Sequence, residues 1–127
     1  MREILFRGRR VDPDGKGRFV EGWLFMHEGS LCIQTLAESE YGEFIFQVDP
    51  ETVGQYTGMT DKNGTKIFEG DIIKVFDPWK KVLFDGEIWF RGSSFQIYAP
   101  GGYVKGWYDI PDYTNEVIGN IYENIED

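Results

Sequence analysis

The amino-acid sequence predicts an all-β protein whose strands are wound into a small β-barrel. Aromatic residues make up 17% of the 127 positions and suit the pleated, half-buried surfaces of sheets, while 16 glycines provide turns and bulges. No window longer than about ten residues keeps a helical i, i+3, i+4, i+7 stripe free of glycine or proline. Apolar runs are short, and turn residues recur about every eight to twelve positions, which is typical of a sandwich or barrel.

The first part of the chain contains four predicted strands. Dense turn chemistry at 12–17, where proline fixes φ and glycine accepts a positive φ, joins the first two strands as a hairpin. A turn at Gly29 precedes the third strand, and an acidic loop at 37–42 precedes the fourth. The predicted strands cover residues 3–7, 18–27, 31–36 and 43–48.

Six further strands are predicted after Pro50, and one more segment is left open. The run at 61–64, Asp-Lys-Asn-Gly, predicts a type I′ hairpin turn, because Asn-Gly suits the geometry that matches strand twist. Residues 91–93 turn a later hairpin, and the open segment, 103–108, is either a strand or a partly ordered excursion. The predicted strands cover residues 53–57, 67–68, 71–76, 82–90, 94–99 and 117–122.

The length of the chain predicts a single domain over residues 1–127. A chain of this size buries roughly two-thirds of its unfolded surface, so it can fold without disulfides. If the domain is subdivided, the seam falls at Asp49-Pro50-Glu51. That seam would separate an N-terminal β-layer, 1–48, from a more compact barrel, 49–127.

Hydropathy and charge narrow the function classes. No apolar run approaches the ~18 residues needed to span a membrane, and the charged N-terminus, MREILFRGRR, lacks the apolar stretch of a signal peptide. We therefore expect a cytoplasmic protein with no membrane partner. The net charge of −9 disfavours nucleic acid as a partner, because an acidic body repels phosphate backbones.

Basic residues are concentrated near the N-terminus. Six of the 13 lysines and arginines lie in residues 1–18: Arg2, Arg7, Arg9, Arg10, Lys16 and Arg18. This basic arm either contacts phosphates locally or pairs with acidic groups of the protein itself. The acidic groups considered for internal pairing are Glu116, Glu123, Glu126 and Asp127.

No recognisable catalytic constellation occurs in the sequence. Cys32 is the one cysteine, so an intramolecular disulfide is excluded, and its apolar neighbours indicate a small buried hydrophobe. A Cys-His pair with His27 is formally open to neighbouring strands, but no third group is evident to orient it. With 22 acidic residues, a pair of nearby carboxylates is uninformative. The pairs nearest in sequence are Glu38/Glu40 and Glu69/Asp71.

Metal and phosphate motifs are equally absent from the sequence. One histidine and one cysteine cannot close a structural zinc site within the chain. Aligning Gly64 with the glycine of a calcium loop puts Met59 and Gly70 at the end positions, where oxygen ligands are required. No Gly-x-x-x-x-Gly-Lys-Ser/Thr run is present to cradle phosphate. We therefore predict no cofactor and no metal, and we assign no catalytic, cofactor-binding or metal-binding residue.

Aromatic and basic residues lie close together in the C-terminal half. Aromatic side chains beside cations on a barrel are typical of surfaces that stack and hold single-stranded nucleic acid. The alternative is that most of these aromatics form the core of a glycine-rich barrel. The residues concerned are Trp79, Trp89, Trp107, Tyr103, Arg91, Lys80, Lys81 and Lys105.

Three blocks of the sequence resemble the YopX protein family. They are REILFR at 2–7, TVGQYTGMTDKNGTKIFEGDI at 52–72 and VIGNIYEN at 117–124. The principal departure is Phe68, where tyrosine is common. The resemblance implies a phage or prophage gene product and an all-β fold with an SH3-like barrel in its C-terminal part. It implies no activity and no catalytic or ligand-binding residue that could be transferred to this chain.

Three hypotheses for function follow. The first is a non-enzymatic β-barrel module of phage origin that binds another protein or itself in the host cytoplasm, using its aromatic-rich surface and strand edges. The second is a nucleic-acid-binding accessory protein that uses the N-terminal arginines or the C-terminal aromatics. The third is an enzyme with an unrecognised site.

Overall fold

A computed structural model describes residues 3–35, 44–76, 79, 81–100, 105–111 and 115–123. The described residues form eleven β-strands and two short 3-10 turns, Pro13–Gly15 and Pro50–Thr52, and they include no α-helix. The prediction of an all-β fold is therefore confirmed. The predicted acidic loop at 37–42 lies outside the described residues.

Every predicted strand overlaps an observed strand, with ends that differ by a few residues. The observed strands are β1 (Phe6–Arg9), β2 (Phe19–His27), β3 (Ser30–Thr35), β4 (Ile45–Gln47), β5 (Gly54–Thr60), β6 (Lys66–Phe68), β7 (Asp71–Phe76), β8 (Val82–Arg91), β9 (Ser94–Ala99), β10 (Gly106–Asp109) and β11 (Asn115–Asn120). Segment 103–108, left open by the sequence, contains most of β10.

The first sheet has the strand order β4-β3-β2-β1-β5-β6. Strands β1 and β2 pair antiparallel, with Phe6 opposite Gly22, so the predicted N-terminal hairpin is confirmed. Ile33 and Val48 are almost fully buried in this part of the chain. Gly8 allows that packing, because a Cβ there would come within 3.0 Å of the Cβ of Val48.

The β2–β3 hairpin is closed by a two-residue turn at Glu28 and Gly29. His27 and Ser30 are the last paired residues, and the two central residues have φ of 50° and 83°. Two consecutive positive φ angles define the type I′ geometry, which matches the twist of the flanking strands. The type I′ turn is therefore present in the chain, but at a different site from the one the sequence indicated.

The turn at 61–64 is not type I′, and the prediction is corrected. Glu28 is the one non-glycine residue of positive φ among the described positions, so Asn63 is outside the left-handed region. The Gly64 N–H donates to the Asp61 carbonyl at 3.0 Å, and Gly64 itself has φ of 84°. This combination fits a type I turn followed by a left-handed glycine, which is the usual longer hairpin loop.

The second sheet has the strand order β10-β9-β8-β7-β11, and all its pairings are antiparallel. The hairpin between β8 and β9 turns at Arg91–Ser94, as the sequence predicted. One face of this sheet carries a compact apolar cluster, to which β6 also contributes. The cluster consists of Ile67, Ile73, Val75, Ile88 and Ile97.

The expected SH3-like barrel is not confirmed. A closed barrel requires the two edge strands of a sheet to pair with each other. Among the described residues, β10 pairs with β9 and β11 pairs with β7, and neither edge strand pairs with the other. The described strands therefore form two open antiparallel sheets instead of a closed barrel.

The chain divides into two compact units, Met1–Tyr56 and Thr57–Asp127. The division falls inside β5. Two short elements begin after aspartates whose side chains accept a backbone N–H, at Asp12 and Asp49. The single domain over 1–127, and its subdivision into 1–48 and 49–127, stay predictions.

Candidate functional site

The second sheet presents different chemistry on its two faces. Ile88 and Ile97 are paired with each other and belong to the apolar cluster. Because side chains alternate along a strand, residues an even number of positions from either one lie on the face of that cluster. The opposite face, called here the outer face, carries Trp89, Tyr98 and Trp107 on three neighbouring strands. We call these three side chains the aromatic row.

Trp107 lies at the centre of the contacts in the aromatic row. Its ring centroid is 5.0 Å from that of Tyr98, at an interplanar angle of 43°. The guanidinium carbon of Arg91 lies 4.7 Å from the centroid of the Trp107 ring. The indole of Trp107 is still 37% exposed, so the stacked ring remains accessible to a ligand.

Trp89 is held by a carboxylate of the same face. Its Nε1–H donates to Glu87 Oε1 at 3.0 Å, which fixes the direction of the indole ring. Glu87 is directly opposite Tyr98 in the strand register, and Trp89 is directly opposite Gln96. The carboxylate therefore lies within the aromatic row and not at its margin.

Charges on the outer face of β8, β9 and β10 are predominantly negative. The charged positions of that face in the three strands are Asp85, Glu87, Arg91 and Asp109. Lys74 of β7 donates to Asp85 at 3.2 Å, which leaves Glu87 and Asp109 as the carboxylates beside the aromatic row. Aromatic rings next to carboxylates can bind a planar cation, because the cation stacks on the rings and its charge is attracted by the carboxylates.

The sequence-based prediction grouped some residues of the outer face correctly and omitted one of them. Trp89, Trp107 and Arg91 were predicted as an aromatic and basic group, and the strand register places all three on the outer face. Tyr98 was missed, although its position two residues after Gln96 puts it on the same side of β9. Trp79 is in the segment between β7 and β8 and is 79% exposed.

The basic residues of that predicted group differ in their positions. Lys105 and Lys81 are exposed, at positions preceding β10 and β8. Lys80 and Tyr103 lie outside the described residues. Arg91 is a predicted cation that contacts the aromatic row, through the ring of Trp107.

The central sequence motif around 52–72 is used for backbone hydrogen bonds. Asp61 is buried, and its Oδ1 accepts N–H donors from Asn63 at 2.8 Å and Thr65 at 2.9 Å. Its Oδ2 accepts the N–H of Val117 at 2.9 Å, which ties the turn to β11. Burial acts to raise the pKa of this carboxyl, but the three backbone donors outweigh it and hold the pKa below its ordinary value.

Thr57 and Asp71 have comparable roles in the motif. The Thr57 hydroxyl donates to the Ile67 carbonyl at 2.8 Å and accepts the Met59 N–H at 3.1 Å. Asp71 Oδ2 accepts the Phe68 N–H at 2.8 Å. These polar side chains fix the path of β5, β6 and β7, so the motif serves the fold.

The family model described as YopX protein matches residues 17–126 of the sequence. The chain belongs to the YopX protein family. The match spans most of the chain and includes the whole central motif, which the structure uses to fix strands and turns. No curated protein matches the sequence.

The basic arm of this YopX-family protein is paired internally in part. Arg10 donates two hydrogen bonds to Asp12, at 2.8 and 2.6 Å, and its guanidinium lies 4.0 Å from the Phe46 ring centroid. The bond from Arg10 holds the pKa of Asp12 below its ordinary value. Arg9 donates to Asp49 at 3.4 Å. The arm is thus paired internally with Asp12 and Asp49, which both belong to the first unit.

One acidic partner suggested by the sequence, Glu116, lies 3.9 Å from Lys62 of its own unit. Arg2, Glu126 and Asp127 lie outside the described residues. Arg7 is buried and lies 5.4 Å from the centroid of the Phe19 ring. A phosphate-binding role for the arm is thereby weakened, because these guanidinium groups already have neighbours.

The Cys-His pair that the sequence left open does not form a catalytic arrangement. Cys32 is buried, and its thiol points to the Ser30 carbonyl oxygen at 3.8 Å. His27 lies on the adjacent strand and its Nε2 is 3.3 Å from the Glu28 carboxylate, in an exposed position. Cys32 is therefore packed as a small apolar residue of β3, as its neighbours in sequence indicated.

Metal-binding clusters and membrane-crossing helices are not found in the described residues. No group of three or more His, Cys, Asp or Glu side chains in this part of the YopX-family chain is arranged to hold a metal ion. Within the same residues, no helix has the length and apolar character that a membrane-crossing helix requires. The aromatic row remains the candidate site.

Proposed function

We propose that this YopX-family protein is a phage- or prophage-encoded, non-enzymatic binding module that acts in the host cytoplasm. Its binding surface is the aromatic row. The partner is another protein or a second copy of the chain. Membership of the YopX family supports the phage origin.

The observation that carries the proposal is the placement of Trp107. Aromatic side chains and arginine are enriched in the energetically important parts of protein interfaces, because they bury large areas at a small entropic cost. Trp107 stacks on Tyr98, contacts Arg91 and keeps 37% of its surface exposed on the face opposite the apolar cluster. Such an arrangement favours recognition of a ligand over a purely structural role.

The division of labour in the family motif supports the same proposal. Asp61, Thr57 and Asp71 are engaged with backbone groups, so they are poor candidates for acid, base or nucleophile. A binding surface elsewhere on the second sheet does not depend on these groups. A module of this kind can retain its motif for folding and vary its partner through the outer face.

The test compares Trp107→Leu with Trp23→Leu. Trp23 is 58% exposed in the first unit and provides a matched loss of an accessible indole. Tagged wild-type protein, produced in phage-infected host cells, is crosslinked and captured, and its oligomeric state is measured by light scattering. We expect a specific protein partner or a self-association that Trp107→Leu removes and Trp23→Leu retains. A monomer that retrieves no partner after crosslinking contradicts the proposal.

A nucleic-acid accessory role is the second candidate. It is favoured by the stacked group of Tyr98, Trp107 and Arg91, because bases stack on aromatic rings and guanidinium planes. Fluorescence anisotropy with single-stranded and duplex oligonucleotides at ~50 mM salt, where electrostatic contacts are strong, tests it. Absence of binding under those conditions removes this candidate.

A further inference from the structure

We propose that the aromatic row docks an arginine-bearing basic segment of a partner protein, and that Arg91 occupies this position in the free protein. The inference rests on the proposed function and specifies the chemistry of the partner. Four features of the outer face lead to it: the existing guanidinium stack, the nearby carboxylates, the charge of the whole chain and the exposed position of Arg91.

The first feature is the geometry of the Arg91 contact. A guanidinium carbon 4.7 Å from the Trp107 centroid is within the range of a cation–π interaction. Guanidinium is planar and weakly hydrated, so it stacks on indole more readily than an ammonium group does. The outer face therefore already contains a complete example of the contact that a partner arginine would make.

The second feature is the pair of carboxylates beside the rings. Glu87 is held by the Trp89 Nε1–H through one oxygen, and Asp109 is exposed opposite Gln96. A guanidinium that stacks on an indole presents its N–H groups at the edge of its plane, where carboxylates can accept them. Stacking and charge pairing are thus both available to an incoming arginine.

The third feature is the sign of the protein's charge. At −9, the chain attracts cationic segments over long range and raises their association rate, whereas it repels nucleic-acid backbones. Glu87 and Asp109 give the surroundings of the aromatic row the same sign, whereas Asp85 is paired with Lys74 of β7. A basic peptide is consequently a better match for this surface than an oligonucleotide.

The fourth feature is the exposed position of Arg91. Arg91 is the last residue of β8 and is exposed, so its contact with Trp107 is a surface interaction of modest strength. A partner arginine can replace it without unfolding the strand. Arg91 then acts as an intramolecular competitor, and its removal should strengthen binding of the partner.

The experiment uses a short labelled peptide of alternating glycine and arginine, with fluorescence anisotropy at ~50 mM salt. Trp107→Leu is compared with Trp23→Leu, since neither changes the net charge. We expect about a three- to fivefold rise in Kd for Trp107→Leu, the size of an exposed cation–π contact, and little change for Trp23→Leu. Equal effects of the two substitutions overturn the proposal.

The competitor role is tested by Arg91→Gln against Arg18→Gln. Both remove one positive charge from an exposed residue, and Arg18 lies in the first unit. We expect Arg91→Gln to lower the Kd for the peptide by about threefold more than Arg18→Gln does. If both lower it equally, the effect is only one of net charge, and the assignment of Arg91 is wrong.

A competing oligothymidine of about ten nucleotides distinguishes the other occupant. If it displaces the peptide and its own binding depends on Trp107, the face is a nucleic-acid platform and the proposal falls. If Trp107→Leu abolishes capture of a natural partner but leaves the arginine peptide unaffected, the proposed function stands and the arginine specificity falls. Circular dichroism of each variant establishes that it is folded.

Discussion

At Asp61, a single carboxylate satisfies three backbone N–H groups from two distant parts of the second unit. Two donors belong to its own turn, and the third is Val117 in β11. Hydrogen bonds to a charged acceptor are stronger than neutral ones, and a buried donor that loses its partner incurs the full cost of desolvation. The energetic weight of the family motif is therefore concentrated in a residue that has no exposed functional group.

We expect Asp61→Asn to destabilise the protein by about 2–3 kcal/mol. The amide retains one acceptor oxygen, but its NH2 group must face either the turn donors or the Val117 N–H, so at least one donor is unpaired. Urea unfolding followed by circular dichroism measures the change. Asp109→Asn, at an exposed carboxylate of the same unit, is the control and should stay within about 0.5 kcal/mol of wild type.

The same carboxylate predicts a pH dependence. Because its folded-state pKa lies below the ordinary value of 3.8, its contribution is fully present above that value and is lost as the pH falls through the folded-state pKa. The stability difference between wild type and Asp61→Asn should therefore shrink on acidification below pH 3.8. A difference that stays constant to lower pH would show that Asp61 contributes by packing and not by charge.

At the scale of elements, two glycines of the β2 region act for different physical reasons. Gly29 has φ of 83° in the hairpin turn, and a Cβ there would meet no atom within 4 Å. Gly22 lies within β2, and a Cβ there would come 1.9 Å from the Gln34 carbonyl oxygen. One position thus requires glycine for its dihedral angle, and the other for the close approach of two backbones.

Alanine substitutions separate these two causes. Gly29→Ala should cost about 1 kcal/mol, because only left-handed strain is introduced. Gly22→Ala should cost about 3 kcal/mol, because the colliding atom belongs to the backbone of β3 and cannot rotate away. Chemical denaturation of both variants measures the difference. Equal losses would mean that the backbones of β2 and β3 accommodate the added methyl group at Gly22 more easily than the 1.9 Å approach implies.

Strand positions were predictable from sequence because alternation and turn residues are local signals. The turn type at 61–64 was not, since the Asp61 carboxylate binds two N–H groups of the loop and selects a longer turn than Asn-Gly alone favours. The aromatic row was predictable in part: Trp89 and Trp107 stand out in composition, whereas Tyr98 joins them only through the register of β9.

For the whole molecule, local sequence patterns do not determine whether a sheet stays open or closes into a barrel. Whether edge strands meet is decided by the shear and tilt of the complete sheet, and short strands of the same pattern suit open or closed arrangements. The division into units is similar, because β5 reads as one strand although its residues belong to both units. Its first residues pair with β1, and its neighbour on the other side is β6.

We expect the two units to unfold together, as the single-domain prediction requires. Loss of either unit removes a neighbouring strand from part of the same β5, so the other unit is weakened as well. In Trp23→Phe, tryptophan fluorescence reports only the second unit, because Trp79, Trp89 and Trp107 all belong to it, while circular dichroism reports both units. The urea midpoints measured by fluorescence and by circular dichroism should coincide. Separate transitions would show two independently folding units.

The bond between Asp61 and Val117 joins positions 56 residues apart. Once the turn has been translated, two of the three donors are present, and the third is present only after β11 has been translated. The nascent second unit therefore holds an incompletely compensated anion until β11 emerges. A premature stop codon before Val117 would leave that anion permanently short of a donor, and the truncated product should be an early target for cellular proteolysis.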